Sequence, residues 1–294
     1  MHNFGKVLTA MVTPFTVDNE LNFDMISQLV EYLIQNGSES LVVAGSTGEA
    51  STLTFEEKIQ LFSAVKESAG GRVKVIAGTG TNSTATSIQL TKEAEKIAVD
   101  AAMLVVPYYN KPSQEGLYQH FKAIAESVSL PIILYNIPGR TVINLLPETV
   151  ARLAKIDNII ALKESAGNMD QLSELKRILP ERFLVYSGDD SLVLPMLSLG
   201  AHGIISVASH VVGKEINEMV TSFSAGDHER ALQIHLKLIP IFKTLFITSN
   251  PVPVKTALNL LGIDVGGVRL PLYKATDLER EKILLTLQMM HMIS

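Results

Sequence analysis

The sequence has 294 residues, 47% of them hydrophobic, and 25 Lys and Arg against 30 Asp and Glu give a net charge of -5. This composition excludes intrinsic disorder, and an acidic chain without a run of Lys or Arg predicts no nucleic-acid partner. No apolar stretch approaches the roughly 20 residues of a membrane-spanning helix, so we expect a cytoplasmic protein without a membrane partner. The absence of Cys excludes disulfides and sulfur-ligated metal sites.

Eight short apolar runs along the chain are typical of strands that are buried on both faces. They are residues 7–12, 40–44, 73–77, 101–106, 131–136, 159–163, 183–187 and 203–207. The runs start roughly 20 to 33 residues apart, as expected for parallel strands joined by crossover helices. We therefore predict an α/β fold in which residues 1–220 form a catalytic (β/α)8 TIM barrel.

Helix signals lie between these runs and beyond the last of them. Thr54 and Glu57 form a capping-box pattern, and Gly37 stands where a left-handed residue would end the first helix. After about residue 211 the strand signal stops, and apolar residues recur at helical spacing with a break at the prolines of residues 250–253. We predict that residues 221–294 form a C-terminal helical extension packed on the barrel.

The active site of such a barrel lies at the carboxyl ends of the strands, so the polar residues that end each run are the candidates. Lys163 ends the run 159–163. Burial there favours the neutral amine, which can attack a ketone and form a Schiff base without a metal. A lysine that extends to solvent is the alternative. Lys255 is a rival nucleophile, but its position after two prolines in a helical segment favours a structural role.

Other run ends carry groups suited to a small carboxylate substrate. The motif Gly45-Ser46-Thr47-Gly48-Glu49 combines hydroxyls with backbone amides that can bind an anion, although such turns are also common without a ligand. Tyr135, Tyr108 and Tyr109 offer phenols for proton transfer, and packing at an interface is an equal alternative for the last two. Arg140 follows a Pro-Gly turn and is placed to bind a second carboxylate, unless it is a solvated surface residue.

The sequence predicts no metal site. Its seven histidines show neither an H-x-H pair nor an H-E-x-x-H motif. Asp189 and Asp190 follow the seventh run, where we expect a turn or a helix cap rather than a cation site. These residues therefore indicate a metal-free enzyme that acts on a small carboxylate through a lysine.

Taken together, the motifs resemble the dihydrodipicolinate synthase and N-acetylneuraminate lyase family of pyruvate-dependent class I aldolases over nearly the whole chain. They are Gly45-Ser46-Thr47-Gly48-Glu49, Pro107-Tyr108-Tyr109-Asn110, Tyr135-Asn136-Ile137-Pro138-Gly139-Arg140, Lys163-Glu164, Ser187-Gly188-Asp189-Asp190 and Asn250-Pro251-Val252-Pro253-Val254-Lys255. The resemblance implies that Lys163 forms a Schiff base with pyruvate and that no separate cofactor is used.

The resemblance also implies a proton relay that crosses a subunit interface. Tyr135 would be the proton donor and acceptor, and Ser46 and Tyr109 would complete a relay of hydroxyls. Tyr109 would serve the neighbouring subunit of a homotetramer built as a dimer of dimers. A dimer is the alternative that the residues themselves leave open.

The substrate-binding residues follow from the same resemblance. Thr47 would hold the pyruvate carboxylate, with Gly188 and the main chain of Ile205 lining the pocket. Arg140 is typical of the synthase branch, where it would receive the carboxylate of L-aspartate 4-semialdehyde. The implied reaction gives 4-hydroxy-tetrahydrodipicolinate and water, an early step towards diaminopimelate and lysine.

Three further functions remain open at this point. An N-acetylneuraminate lyase or a 2-keto-3-deoxy sugar acid aldolase would use the same Schiff base, and Ser46 stands where the synthase branch usually has threonine and the lyases have serine. A ligand-binding protein on a decayed aldolase scaffold would lack the lysine, the tyrosine or the relay hydroxyl. All three are present here.

Feedback inhibition by lysine is expected to be weak or absent. Lysine-inhibited members of the family carry a histidine and a glutamate where this chain has Lys58 and Thr86, whereas Asn82 and Tyr108 are retained. A cationic Lys58 would repel the ammonium groups of lysine, and Thr86 offers no carboxylate to pair with one.

Overall fold

The structure is a computed structural model that describes residues 4–293. Eight parallel strands close into a barrel in chain order, with β8 (Gly203–Ser206) paired to β1 (Val7–Ala10). The other strands are β2 (Ser40–Val43), β3 (Lys74–Gly78), β4 (Ala101–Val105), β5 (Ile132–Asn136), β6 (Ile159–Glu164) and β7 (Leu184–Ser187). The predicted (β/α)8 barrel is confirmed.

Helices surround the barrel and continue beyond it. Those between the strands are α1 (Phe23–Gln35), α2 (Phe55–Ala69), α3 (Thr84–Lys96), α4 (Gln114–Ala125), α5 (Pro138–Thr141), α6 (Pro147–Leu153), α7 (Met169–Ile178) and α8 (Val193–Ser198), the last preceded by a short 3-10 turn (Asp190–Leu192). Those after β8 are α9 (Ser209–Ser224), α10 (His228–Thr244), α11 (Val252–Leu260) and α12 (Asp277–Met289). None of the described helices is long and apolar enough to cross a membrane.

The strands alternate between the barrel interior and the helices outside it. On β5, Tyr135 belongs to the apolar cluster inside the barrel, whereas Leu134 packs outward. On β6, Ala161 faces inward and Leu162 outward. Because side chains on one face of a strand recur every second residue, Lys163 returns to the interior at the carboxyl end of β6.

Local signals in the sequence explain where several elements begin and end. Thr54 and Glu57 form the predicted capping box at the start of α2. Gly37 has a φ of +90° just after α1 and so ends that helix as predicted. The first run of 7–12 is longer than β1, because the Val12 amide leaves the strand ladder and donates to the ring of His210.

The C-terminal extension packs on the barrel through its helices. α10 contacts α9, and α12 contacts both α10 and α11. α9 ends at Ser224, so the predicted boundary after residue 220 lies within its last turn. The division into 1–220 and 221–294 stays a prediction.

Candidate active site

Lys163 and Tyr135 lie side by side at the carboxyl ends of two neighbouring strands. They are register partners in β6 and β5, and both are buried. The Lys163 Nζ lies 4.3 Å from the centroid of the Tyr135 ring. The structure therefore brings the predicted nucleophile and the predicted proton donor into contact.

Burial makes Lys163 a much weaker base than an ordinary lysine. Desolvation of its ammonium group lowers the pKa from 10.5 to about 8, while the negative charges of Asp189 and Asp190 partly oppose this fall. The positive charge of Arg140 adds to it. A useful fraction of the amine is therefore neutral and nucleophilic near neutral pH.

Gly188 lies directly beside the lysine, and a larger residue there would displace neighbouring side chains. A Cβ at this position would lie 2.9 Å from Cε of Lys163 and would overlap the hydroxyl of Ser165. The Gly188 amide donates to the carbonyl of Glu164 at 2.9 Å, which fixes the backbone against β6. Glycine thus leaves the space that Lys163 and its reaction partner need.

Tyr135 remains a neutral phenol over the whole physiological pH range. Burial raises its pKa from 10.0 to about 12, and the charge of Asp189 contributes to the rise. The positive charge of Arg140 and the hydroxyls of Ser165 and Ser46 beside the phenol act in the opposite direction. The phenol can therefore donate a proton to a group that forms on Lys163.

The loop of residues 45–49 (the 45–49 loop) follows β2 and offers an anion site. The amides of Ser46, Thr47 and Gly48 make no hydrogen bond to any residue that the structure describes, whereas the Glu49 amide donates to the Ser46 carbonyl at 3.2 Å. The Thr47 side chain is buried, and its hydroxyl accepts from Asn250 Nδ2 at 2.9 Å. Free amides beside a held hydroxyl suit a carboxylate.

A cavity of about 330 Å³ lies beside these residues, although Lys163, Thr47 and Gly188 do not themselves line it. Ser46 and Tyr135 line it from the barrel, and Arg140 lines it from the short helix α5. The Arg140 guanidinium donates to the carbonyl of Asn250 at 3.3 Å. Among residues 4–293, Arg140 is not part of any of the ion pairs that arginines form with carboxylates. Its guanidinium is therefore available for a substrate carboxylate.

Tyr108 and Tyr109 differ sharply in their surroundings. Tyr108 lines the cavity, and burial raises the pKa of its phenol. Tyr109 is 89% exposed and has a φ of +75°, a strained conformation for a large side chain. Within a single chain, Tyr109 is thus not part of the cavity wall.

The remaining predicted residues lie deeper in the barrel or serve a structural role. Ile205 belongs to the same interior apolar cluster as Tyr135 and does not line the cavity. Asp190 begins the 3-10 turn after β7, and its carboxylate accepts from the amides of Val207 and Ala208 just before α9. Among residues 4–293, no group of three His, Asp or Glu side chains is arranged to hold a metal ion.

Sequence reasoning missed the contribution of the C-terminal extension to the site. Asn250 and Pro271 form part of the cavity wall, and Lys255 pairs with Glu49 at the end of the 45–49 loop. The sequence shows only that Asn250 and Lys255 flank two prolines in an otherwise apolar segment. That pattern does not identify a partner distant in sequence.

The arrangement is suited to Schiff-base chemistry on a 2-oxo acid. The 45–49 loop can hold the carboxylate, Lys163 can attack the adjacent ketone, and Tyr135 can supply the proton that the departing oxygen requires. Arg140 can bind a second carboxylate at the mouth of the cavity.

Comparison with known proteins gives one consistent result. A family model described as the dihydrodipicolinate synthetase family matches residues 3–290. A relative from Desulforamulus reducens, named 4-hydroxy-tetrahydrodipicolinate synthase, is 61% identical over 292 residues and 99% of each chain. A crystal structure of dihydrodipicolinate synthase from Bacillus anthracis has a TM-score of 0.96 and 50% identity, covering 98% of this chain and 99% of that one. A lysine-bound structure of the enzyme from Cyanidioschyzon merolae has a TM-score of 0.97 and 45% identity over 99% of each chain.

Proposed function

The chain belongs to the dihydrodipicolinate synthetase family, and from this we propose that it is a lyase that condenses pyruvate with L-aspartate 4-semialdehyde. The products are 4-hydroxy-tetrahydrodipicolinate and water, in the pathway to diaminopimelate and lysine. The observation that carries the proposal is the buried Lys163 beside Tyr135, whose side chain lines a cavity together with Ser46 and Arg140. No cofactor is required beyond the pyruvate that binds covalently to Lys163.

The first half of the reaction forms the nucleophile. Thr47 and the free amides of the 45–49 loop hold the pyruvate carboxylate, and Lys163 Nζ attacks the ketone carbon. The carbonyl oxygen leaves as water after it is protonated through Tyr135, which leaves an iminium on Lys163. Transfer of a proton from the methyl carbon to Tyr135 then gives an enamine, with Gly188 and the main chain of Ile205 lining the space around it.

The second half forms the carbon–carbon bond and releases the enzyme. Arg140 binds the carboxylate of the semialdehyde, and the enamine carbon attacks the aldehyde, whose oxygen takes a proton from the relay of Tyr135, Ser46 and Tyr109. The amino group of the acceptor then attacks the iminium carbon and displaces Lys163. The atoms balance, since the single oxygen that is lost is the pyruvate carbonyl oxygen that left as water.

Supply of each acceptor in turn tests the proposed substrate. We expect product with pyruvate and L-aspartate 4-semialdehyde, but little with N-acetylmannosamine or glyceraldehyde, when product is followed by mass. Turnover of a sugar aldehyde alone would overturn the proposal and favour the lyase or sugar acid aldolase, to which Ser46 is suited.

Substitution of Arg140 separates the acceptor site from the pyruvate site. Loss of a charge-assisted hydrogen bond costs about 1.5–3 kcal/mol, so Arg140→Ala should lower kcat/KM for the semialdehyde roughly 10- to 100-fold. At saturating pyruvate, the amount of pyruvate bound covalently should not change. Arg152→Ala is the matched control, because Arg152 pairs with Glu115 on the surface.

The relay implies an assembly, and we propose a cytoplasmic homotetramer built as a dimer of dimers. Tyr109 supports this, because its side chain is 89% exposed and its backbone is strained, although it follows the cavity residue Tyr108 directly. A strained, exposed tyrosine is explained if it enters the cavity of a partner subunit. Ser46 would then connect Tyr135 with Tyr109 of the partner subunit.

Weak or absent inhibition by lysine is part of the proposal. Lys58 lines the cavity and is half-buried, and burial lowers the pKa of its amine. Thr86 is exposed at the start of α3, where its hydroxyl donates to Ser83 Oγ at 3.1 Å. We expect millimolar lysine to leave activity at saturating substrates unchanged. Strong inhibition would contradict the roles given to Lys58 and Thr86, and Lys58→His is the variant expected to gain inhibition.

A further inference from the structure

A buried ion pair joins the C-terminal extension to the 45–49 loop. Lys255 in α11 and Glu49 at the end of the loop are each about 2% exposed, and Lys255 Nζ lies 2.7 Å from Glu49 Oε1. Replacing a buried ion pair with apolar side chains is often neutral or stabilising. Stability alone therefore does not explain why two charges are buried at this place.

The pair is held from several sides. Glu49 Oε2 accepts from the Arg269 amide at 2.9 Å, and Lys255 Nζ donates to the Gly267 carbonyl at 2.6 Å. Two cations also lie against the ring of Phe15. Lys255 Nζ is 4.2 Å from the ring centroid, and the guanidinium carbon of Arg269 is 4.3 Å from it. The end of the loop is thus fixed to segments from both ends of the chain.

A second contact from the same segment reaches the substrate-binding residues themselves. Asn250 lies just before α11. Its side-chain amide donates to the Thr47 hydroxyl at 2.9 Å, and its main-chain carbonyl accepts from Arg140. Residues 250–255 therefore contact the loop at Thr47 and at Glu49. They also contact Arg140, which we propose binds the carboxylate of the acceptor.

The conformation of the loop requires such external support. Glu49 has a φ of +55°, which is unfavourable for a residue with a side chain. A Cβ at Gly48 would lie 3.0 Å from the Ala44 amide nitrogen and 3.1 Å from the Met11 carbonyl, so the loop is also tightly confined. Strained backbone persists only where its surroundings determine it.

We propose that Glu49 and Lys255 are positioning residues that hold the 45–49 loop in the conformation that binds the pyruvate carboxylate. They act through Thr47 and the loop amides. The inference rests on the proposed function, because it assigns the carboxylate of pyruvate to this loop. It also explains why Lys255, although buried, is not the nucleophile: its ammonium group is bound by Glu49 and Gly267.

The test compares Glu49→Gln, Lys255→Met and the double variant that carries both changes. We expect KM for pyruvate to rise on the order of tenfold in each, which corresponds to about 1.4 kcal/mol of binding, with a much smaller change in kcat. Each single variant leaves one buried charge unpaired and should also lower Tm. The double variant removes both charges and should recover most of the lost Tm, while KM for pyruvate stays high.

Two further variants separate positioning from general stability. Lys255→Arg keeps the charge and should restore part of the affinity for pyruvate. Asp100→Asn is the control, because Asp100 pairs with Lys66 at 2.8 Å and Lys74 at 2.9 Å near the start of β4, at the opposite end of the barrel. It should lower Tm without changing KM for pyruvate.

Trapping of the pyruvate adduct with borohydride at increasing pyruvate concentration distinguishes the two possible failures. If the wild-type protein traps pyruvate and the double variant reaches half-saturation at the same concentration, the positioning role is wrong and the proposed function stands. If the wild-type protein traps no pyruvate, the proposed function and the inference that rests on it both fail.

Discussion

Lys163 combines two properties at the scale of a single residue: it is buried, and its neighbours carry opposing charges. Desolvation and Arg140 favour the neutral amine, whereas Asp189 and Asp190 favour the ammonium form. The outcome is a pKa of about 8, within reach of cellular pH. A nucleophilic amine and a still-protonated Tyr135 therefore coexist in the site.

This balance predicts the pH dependence of the reaction. The neutral fraction of Lys163 rises as pH approaches its pKa of about 8, so kcat/KM for pyruvate should rise over that range and then level off. Asp189→Asn removes a negative charge that stabilises the ammonium form, so its profile should move to lower pH. A pH series with both proteins measures the shift, and Asp170→Asn, an exposed carboxylate at the start of α7, serves as the control.

An unchanged profile in Asp189→Asn would mean that this carboxylate does not act on the lysine. A shift to higher pH would contradict the sign of the interaction. Either result would remove Asp189 from the groups that stabilise the ammonium form of Lys163.

At the scale of the elements, the barrel depends on buried groups that hold the strand ends in place. His210 in α9 is fully buried, accepts from the Val12 amide beyond β1 at 3.1 Å, and lies 2.8 Å from the Val207 carbonyl through Nδ1. Burial lowers its pKa to about 4, which keeps the ring neutral. The neutral ring can donate through one nitrogen and accept through the other, as these two contacts require.

The buried ring predicts a loss of stability on acidification. An unfolded histidine has a pKa of 6.5, so between pH 6.5 and about 4 the unfolded chain binds more protons and stability falls as pH falls. At about pH 5, His210 lowers the free energy of unfolding by about 2 kcal/mol relative to neutral pH. His210→Gln should be less stable than the wild-type protein near neutral pH but should lose less Tm on acidification.

The comparison with a variant is needed because another buried group changes the stability in the opposite direction when the pH falls. Burial raises the pKa of Asp190 to about 6, so its protonation favours the folded state at acid pH. Equal acid losses in wild type and His210→Gln would show that His210 does not account for the effect.

The elements also show how far the sequence determines this fold and site. Apolar runs predicted all eight strands, because each strand is buried on both faces, and Lys163 was identified as the polar end of such a run. The pairing of Glu49 with Lys255 was not predictable, since only the packing of the extension brings them together. The end of β1 was not predictable either, because it depends on a hydrogen bond to His210, which is distant in sequence.

At the scale of the whole molecule, the barrel and the C-terminal extension build one site together. Ser249, Asn250, Pro271 and Leu272 of the extension line the cavity above the strand ends. The extension is thus part of the candidate site as well as a cover for the barrel. The proposed assembly adds a further contribution, from Tyr109 of a neighbouring copy.

Mixing two inactive variants tests that contribution. If Tyr109 acts across the interface, a dimer of one Lys163→Ala and one Tyr109→Phe subunit contains one complete site and one doubly damaged site. Dissociation and random reassociation of the two variants should then restore about a quarter of wild-type activity. Activity no higher than the average of the two separate variants would mean that Tyr109 acts within its own chain or not at all.

Trapping with borohydride followed by peptide mass spectrometry shows whether Lys163 forms a Schiff base with pyruvate. We predict a reduced pyruvate adduct on the peptide that contains Lys163, none on the peptide that contains Lys255, and no adduct or turnover in Lys163→Ala. An exposed-lysine variant such as Lys155→Ala should trap pyruvate as the wild-type protein does. Trapping on Lys255, or turnover that survives in Lys163→Ala, would contradict the account.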